Sequence, residues 1–272
     1  MREALVGISV LQKKAPLWGA FFIAVLFVRP VAALCALPGE GETVRVERVV
    51  DGDTLRLVDG RRVRLIGVNA PELGGQRRPA EPYAQAARRF LVEQVQESAG
   101  RLRMLPGVER RDGHGRELAH LYDRQGRNLA ALLLREGLAL QVAVAPNLRL
   151  VDCHYQVEAE ARLAGKGLWR NMAALAPAQL RRPGFALVHG RVTRVARNRG
   201  GTWLELDGGL ALRIRPQHQA RFRALDLDSV SGRTVEARGW VLERMRPGPG
   251  QARWLLELDH PVLLRPVERV GM

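Results

Sequence analysis

The chain has 272 residues, 46% of them hydrophobic, so it is long enough for about two domains with apolar cores and lacks the composition of a disordered protein. Its formal net charge is +15, and 40 of its 43 basic residues are Arg, which binds phosphate through paired hydrogen bonds. A GC-rich genome would raise Arg over Lys but would not create the positive excess. The charge therefore favours a polyanionic partner such as nucleic acid.

Residues 1–36 have the pattern of an export signal. Two adjacent lysines precede an apolar run at 17–28, and small residues follow it. Twelve apolar residues are few for a membrane span, so we expect a signal peptide cleaved after Ala33 or Ala36 and a secreted or periplasmic protein. The alternative is an uncleaved membrane anchor within 17–36.

The state of the two cysteines depends on where the signal is cut. If cleavage after Ala36 removes Cys35, Cys153 is alone in a predicted helix. In that case we expect no disulfide, with Cys153 acting as a small apolar residue.

Strands and helices alternate between residues 43 and 172. Apolar alternation predicts strands across 43–68, with a hairpin turn at Asp59-Gly60. Three helices and two more strands are predicted further along: helices at 82–97, at 129–136 after an Asn128 cap, and at 150–164, and strands at 101–105 and 117–122. Five strands with interleaved helices suit a small closed barrel.

A second unit is predicted at 185–266, after a linker at 173–184 that is rich in Ala, Pro and Arg. Short alternating segments separated by Gly-rich turns indicate a small all-β, barrel-like domain. Trp203, Trp240 and Trp254 lie among its strands. They either stack on bases of a single strand or fill the core of the domain.

Three segments of the first unit combine acidic, amide and guanidinium groups: VVDGDTLRL at 49–57, VRLIGVNAPE at 63–72 and GHGRELAHLY at 113–122. Carboxylates bind a hard cation, a further carboxylate can accept a proton from water, and two guanidiniums can stabilise a phosphate. This is the chemistry of phosphodiester cleavage.

These segments, in this order, together with Gly167-Leu168-Trp169, resemble the staphylococcal nuclease (thermonuclease) family over about residues 43–170. The resemblance implies an OB-fold barrel of five strands with three helices for residues 43–172. It also implies a Ca²⁺-dependent endonuclease that cleaves DNA or RNA and leaves 3′-phosphates. No protein partner is implied, and we expect a monomer.

The resemblance also implies a metal site. The Ca²⁺ ligands would be Asp53, Asn69 and the carbonyl oxygen of Ala70. Asp51 would not bind the ion itself but would orient these ligands or the waters of the site. The family most often has Asp where this chain has Asn69, so we expect weaker cation binding, because ligand charge helps to set affinity.

The catalytic residues follow in the same way. Glu72 is implied to be the general base, and Arg64 and Arg116 are implied to clamp the phosphate. His114 stands where the family often has an aromatic residue and is a candidate substrate contact. Ala143 and Ala145 replace tyrosines that hold the nucleotide in the founding nuclease, which puts the base pocket in doubt.

Two other classes of protein remain open. A non-catalytic nucleic-acid-binding pair of barrels would not need Glu72, Arg64 and Arg116 together. A structural protein anchored in the cell envelope would leave the same three residues unexplained.

Overall fold

The computed structural model describes residues 34–36, 39–75, 78–248 and 250–267. Most of the predicted signal or anchor segment, including Ala33, lies outside these residues. Within the described ranges, no helix combines the length and the apolar character needed to cross a bilayer.

The first part of the chain contains seven strands and three helices: β1 (Glu42–Val49), β2 (Thr54–Leu57), β3 (Arg62–Leu65), β4 (Val68–Asn69), α1 (Ala84–Glu97), β5 (Arg101–Arg111), β6 (Glu117–Tyr122), α2 (Leu129–Arg135), β7 (Leu140–Gln141) and α3 (Val151–Leu163). Five of the strands form a closed barrel in the order β1-β2-β3-β6-β5. Strands β3 and β6 pair in parallel, and the other pairs are antiparallel. The predicted OB-fold barrel is confirmed.

Local chemistry explains the helix boundaries. The Asn128 side chain accepts a hydrogen bond from the Ala131 N–H at 3.0 Å, so the predicted cap of α2 is confirmed. Helix α1 begins two residues later than predicted because Tyr83 has a φ of 67°, which is not helical. The buried faces of α1 and α2 cover the barrel core, which is rich in Leu and Val from β2, β3 and β6.

The second part contains six strands: β8 (Gly184–Asn198), β9 (Gly201–Leu206), β10 (Leu210–Ile214), β11 (Thr234–Glu243), β12 (Trp254–Glu257) and β13 (Leu264–Pro266). Their pairings close a ring in the order β8-β9-β10-β12-β11, because β11 pairs with both β8 and β12. Strands β10 and β12 pair in parallel. This ring has the same order of strands and the same parallel position as the first barrel.

Buried ion pairs join the two barrels. Arg238 on β11 contacts Glu158 on α3 at 2.5 Å, and both side chains are buried. Glu236 receives two hydrogen bonds from Arg162, at 2.6 and 2.7 Å. The guanidiniums of Arg162 and Arg238 both lie over the ring of buried Trp169. The described residues from Leu34 onward accordingly belong to one compact unit.

The absence of a disulfide was expected only for a chain without Cys35; in the chain that contains it, Cys35 and Cys153 form a disulfide. The Asn128 N–H donates to the Leu34 carbonyl at 2.9 Å, which holds the segment before β1 beside α2. Cys35 thereby reaches Cys153 on the adjacent α3. The disulfide closes a loop with a sequence separation of 118 residues, the kind of long loop for which cross-linking restricts the unfolded chain most.

Candidate active site

The Asp51-Gly52-Asp53-Thr54 turn places two carboxylates at the start of β2. The Asp51 side chain accepts the Asp53 N–H at 3.0 Å, which fixes the turn. A Cβ at Gly52 would lie 2.6 Å from the Cβ of Ala70 and 2.8 Å from that of Ala87, so only glycine fits. The turn therefore packs directly against the end of β4 and against α1. Asp51 acts on the backbone of Asp53, as expected of a supporting residue.

Asp53 is buried at the centre of the site. One carboxylate oxygen accepts the Ala70 N–H at 2.8 Å and lies 2.8 Å from Nη1 of Arg64. The other accepts the Thr54 hydroxyl at 3.1 Å. Burial raises the pKa of Asp53 above its ordinary value, and the charge of Arg64 opposes this shift.

Arg64 is oriented by acceptors of the protein itself. Its guanidinium pairs with Asp53 and donates to the Val68 carbonyl at 2.9 Å and to Oδ1 of Asn69 at 3.1 Å. The side chain is 11% exposed. Arg64, in an apolar strand, is therefore paired with groups of the protein itself. The sequence had suggested only a phosphate as its partner. The structure brings Arg64, Asp53 and Asn69 together.

Arg116 reaches the same cluster from the loop before β6. Its Nε donates to Asp112 at 2.7 Å, and its Nη1 donates to the Thr54 hydroxyl oxygen at 3.3 Å. Thr54 thus links Arg116 to Asp53. Sequence reasoning missed both Asp112 and Thr54, although Asp112-Gly-His-Gly-Arg has the spacing of a side chain that organises its own loop.

Asp112 holds this loop through several hydrogen bonds. One oxygen accepts the N–H groups of His114 and Arg116, and the other accepts the Arg116 side chain. Burial alone would raise the pKa of Asp112, but these hydrogen bonds outweigh it and lower the pKa below its usual value. Asp112 is therefore held as an anion that positions Arg116. His114 is exposed in the same loop, and its recorded contact is through its backbone N–H.

Glu72 follows β4 and is exposed. Its backbone N–H donates to Glu81 at 3.0 Å, and its carbonyl accepts the Glu81 N–H at 2.9 Å. Together with Asn69 it lines a groove of about 1450 Å³ between the two barrels. An exposed carboxylate on an open groove is accessible to water and substrate, as a general base must be.

The donor atoms available for a metal are oxygens: the Asp53 carboxylate, the Asn69 amide and the Ala70 carbonyl. Ca²⁺ prefers such donors and completes its shell with water, so these residues fit that ion. Among the described residues, no group of three His, Cys, Asp or Glu side chains is placed so that it could hold a metal ion. Asn69 also accepts a hydrogen bond from Arg64. Because its amide is neutral, the site has less negative charge than one with a second Asp.

Ala143 and Ala145 lie against the second barrel. Ala143 is 2% exposed and belongs to that barrel's apolar core, alongside Val188 and Leu212. The Ala145 N–H donates to Asp259 at 3.2 Å. The positions expected to carry a nucleotide-binding tyrosine are therefore used for packing between barrels.

Comparisons with known proteins agree with this geometry. The family model described as "Staphylococcal nuclease homologue" matches residues 62–171. The chain is 34% identical over 132 residues to the thermonuclease of Staphylococcus intermedius, covering 47% of this chain and 77% of that protein. It is 31% identical over 134 residues to the thermonuclease of Staphylococcus hyicus, with 48% and 77% covered.

A third relative is an uncharacterized endonuclease of Escherichia coli O157:H7, 30% identical over 160 residues. That match covers 56% of this chain and 91% of the relative. The closed five-stranded barrel and these matches show that the chain belongs to the staphylococcal nuclease family.

Proposed function

We propose that the chain is a Ca²⁺-dependent endonuclease that hydrolyses phosphodiester bonds of DNA or RNA. The observation that carries the proposal is the linked cluster in which Arg64 and Arg116 flank Asp53 and Thr54. A non-catalytic scaffold has no need for two guanidiniums aimed at one acidic centre. The names of the relatives, thermonuclease and endonuclease, support the same class of reaction.

Each residue has a role in hydrolysis. Ca²⁺, held by Asp53, Asn69 and the Ala70 carbonyl, would supply a Lewis acid and a bound water. Glu72 accepts a proton from the attacking water as the water oxygen bonds to phosphorus. The bond between phosphorus and the 5′ oxygen breaks, and that oxygen takes up a proton from solvent. Products with a 3′-phosphate and a 5′-hydroxyl follow.

The two arginines act on charge. Arg64 and Arg116 are fixed before substrate arrives, by Asp53 and by Asp112. Guanidiniums that are already oriented stabilise charge on the equatorial oxygens of phosphorus without reorganising during the reaction. The ion pairs with Asp53 and Asp112 hold both guanidiniums in the cluster.

A non-catalytic nucleic-acid-binding protein is the second candidate, favoured by the net charge of +15 and by the missing nucleotide-binding tyrosines. Incubation of single- and double-stranded DNA and of RNA with purified protein separates the two. An endonuclease shortens the substrate with Ca²⁺ and stops with a chelator. A binding protein shifts the substrate in a gel and leaves its length unchanged under every divalent ion.

We also propose that the protein acts in an oxidising compartment, as a secreted or periplasmic enzyme. The Cys35–Cys153 disulfide supports this location, because such bonds persist outside the reducing cytosol. A disulfide that includes Cys35 requires that residue in the mature chain. Of the two expected cleavage positions, this favours the one after Ala33. An uncleaved anchor also retains Cys35. Intact-mass measurement distinguishes the anchored chain from the cleaved one.

A further inference from the structure

The groove that contains Glu72 has a second wall made by the second barrel. Asn69 and Glu72 line one side, and Phe185 and Trp240 line the other. The groove is also lined by apolar residues of a cluster shared by both barrels, among them Leu168. A strand bound beside Glu72 therefore meets the second barrel along this groove.

Trp240 is the tryptophan of the second barrel that is suited to ligand contact. It is 42% exposed and lies edge-to-face with Phe185 at a centroid distance of 5.3 Å. Trp254 is 3% exposed in the core. The Trp203 ring is approached by the guanidiniums of Arg213 and Arg244, at 5.0 and 5.1 Å from its centroid. The three tryptophans thus have three different environments, and one of them faces the groove.

The groove also carries positive charge. Arg78, Arg181 and Arg182 line it, and all three are exposed. Within the described part of the chain, no acidic side chain forms an ion pair with any of them. The acidic residues on the same groove are Glu72 and Glu81. Arg181 donates a hydrogen bond to the Ala178 carbonyl at 2.6 Å. Guanidiniums without an acidic partner, on a groove that also carries the exposed ring of Trp240, match the phosphates and bases of an unpaired strand.

The usual place for a base is closed in this chain. Ala143 is packed into the core of the second barrel, and Ala145 is bonded to Asp259. A base therefore has to find its stacking partner elsewhere. Trp240 lies on the wall opposite the catalytic residues.

We propose that this groove is a binding subsite for a single-stranded segment of the substrate that continues from the scissile phosphate. A base stacks on Trp240, and phosphates contact Arg181 and Arg182. The strand is single because stacking on a side chain requires a base that is free of its partner. This inference rests on the proposed nuclease function and extends it to the class of nucleic acid that the enzyme prefers.

Binding measurements test the subsite without depending on turnover. Full-length Glu72→Gln protein, in which cleavage should be slower by about 10²-fold or more, is titrated with Ca²⁺ and fluorescently labelled oligothymidylates of 2 and 12 nucleotides. Trp240→Ala is added in that background, with Trp240→Phe as the conservative variant. Arg199→Ala is the matched control for Arg182→Ala, since Arg199 is an exposed arginine outside the groove. Thermal unfolding of each variant checks the fold.

We expect the Glu72→Gln protein to bind the 12-nucleotide oligothymidylate more tightly than the 2-nucleotide one. Adding Trp240→Ala should reduce this gain in affinity by about 10-fold, the order of one lost stacked base. Trp240→Phe should recover most of it. Arg182→Ala should flatten the dependence of log affinity on log salt by about 0.7, the value for one phosphate contact on a single strand, and Arg199→Ala should not.

A Trp240→Ala variant that keeps the full gain with length overturns the subsite. Equal losses for a 12-base-pair duplex and for the single strand overturn the assignment to unpaired nucleic acid. If the protein without any substitution binds the oligonucleotides in this way but never cleaves them, the proposed function is contradicted and the subsite still stands.

Discussion

Arg238 of the second barrel and Glu158 of α3 form a buried ion pair with 2.5 Å between Nη1 and Oε2. Glu158 also accepts the Gln141 N–H at 2.7 Å, so one carboxylate joins β11, α3 and β7. The pair makes the second barrel part of the structural support of the first. Removal of the second barrel would leave Glu158 without its cation and would expose Trp169 and Ala143. Point variants in the full chain therefore test the second barrel better than its deletion would.

The buried pair predicts a large loss of stability on substitution. Arg238→Met leaves the Glu158 carboxylate buried without a cation, which costs about 3–5 kcal/mol. The matched control is Arg194→Met, because Arg194 forms an exposed pair with Glu205 and its loss should cost far less stability. Urea unfolding at neutral pH measures both. Equal losses in the two variants would contradict the role of the buried pair.

The disulfide predicts both the stability of the protein and the start of its mature chain. Cys153→Ser should lower the free energy of unfolding by about 2–5 kcal/mol, and a reducing agent should do the same to the parent but not to the variant. Intact-mass measurement of protein from the cell envelope or medium should place the first residue at Leu34, as cleavage after Ala33 requires. A mature chain that begins after Cys35 would exclude the disulfide, and a full-length chain in the membrane would favour the anchor.

Two buried histidines predict loss of stability in acid. His154 on α3 and His120 on β6 pack edge-to-face, and Nε2 of His154 lies 3.2 Å from Oδ1 of Asn128. Burial lowers the pKa of His154 to about 3 and that of His120 to about 4, and the charge of Arg149 adds to the shift of His120. The unfolded chain therefore binds more protons than the folded one below the ordinary histidine value of 6.5.

Stability from these histidines is complete above about pH 6.5 and falls as the pH drops toward 4, by up to about 1.4 kcal/mol per pH unit for each group. His154→Gln should reduce the difference in unfolding free energy between pH 7 and pH 5. His114→Gln, in an exposed loop, should not change it. The interpretation fails if both variants lose stability in acid as steeply as the parent.

Asn69 predicts the calcium requirement of the enzyme. Asn69→Asp adds a negative charge beside Asp53 and should lower the Ca²⁺ concentration for half-maximal cleavage. Asn198→Asp, in a turn of the second barrel, is the matched control and should leave that concentration where it is. An unchanged requirement in Asn69→Asp would show that Asn69 is not a ligand.

Sequence reasoning predicted the elements that depend on local chemistry. Alternation across β1 to β3 and the Asn128 cap are local, and both are confirmed. The Cys35–Cys153 disulfide depends on residues 118 positions apart that meet only after folding, so the sequence alone did not predict it. The packing of Ala143 against the second barrel is likewise a tertiary event.

The site shows the same division. The clustering of Asp53, Arg64 and Asn69 was predictable because turns and paired strands fix their spacing. Thr54 was missed because its role is a link between two groups that the sequence separates by 62 positions. The partners of a charged residue depend on which loop folds over it. The hydrophobic periodicity of the sequence carries no information about such long-range contacts.

The most direct test of the account is cleavage by Glu72→Gln. The parent should degrade single-stranded DNA with Ca²⁺ and stop with a chelator. Glu72→Gln should lose about 10²-fold or more in kcat, the usual size of a general-base contribution, with its unfolding temperature unchanged. Glu93→Gln, an exposed glutamate on α1, should retain full activity. Full activity in Glu72→Gln, or no cleavage by the parent with any divalent ion, would contradict the proposal that this protein is a metal-dependent nuclease.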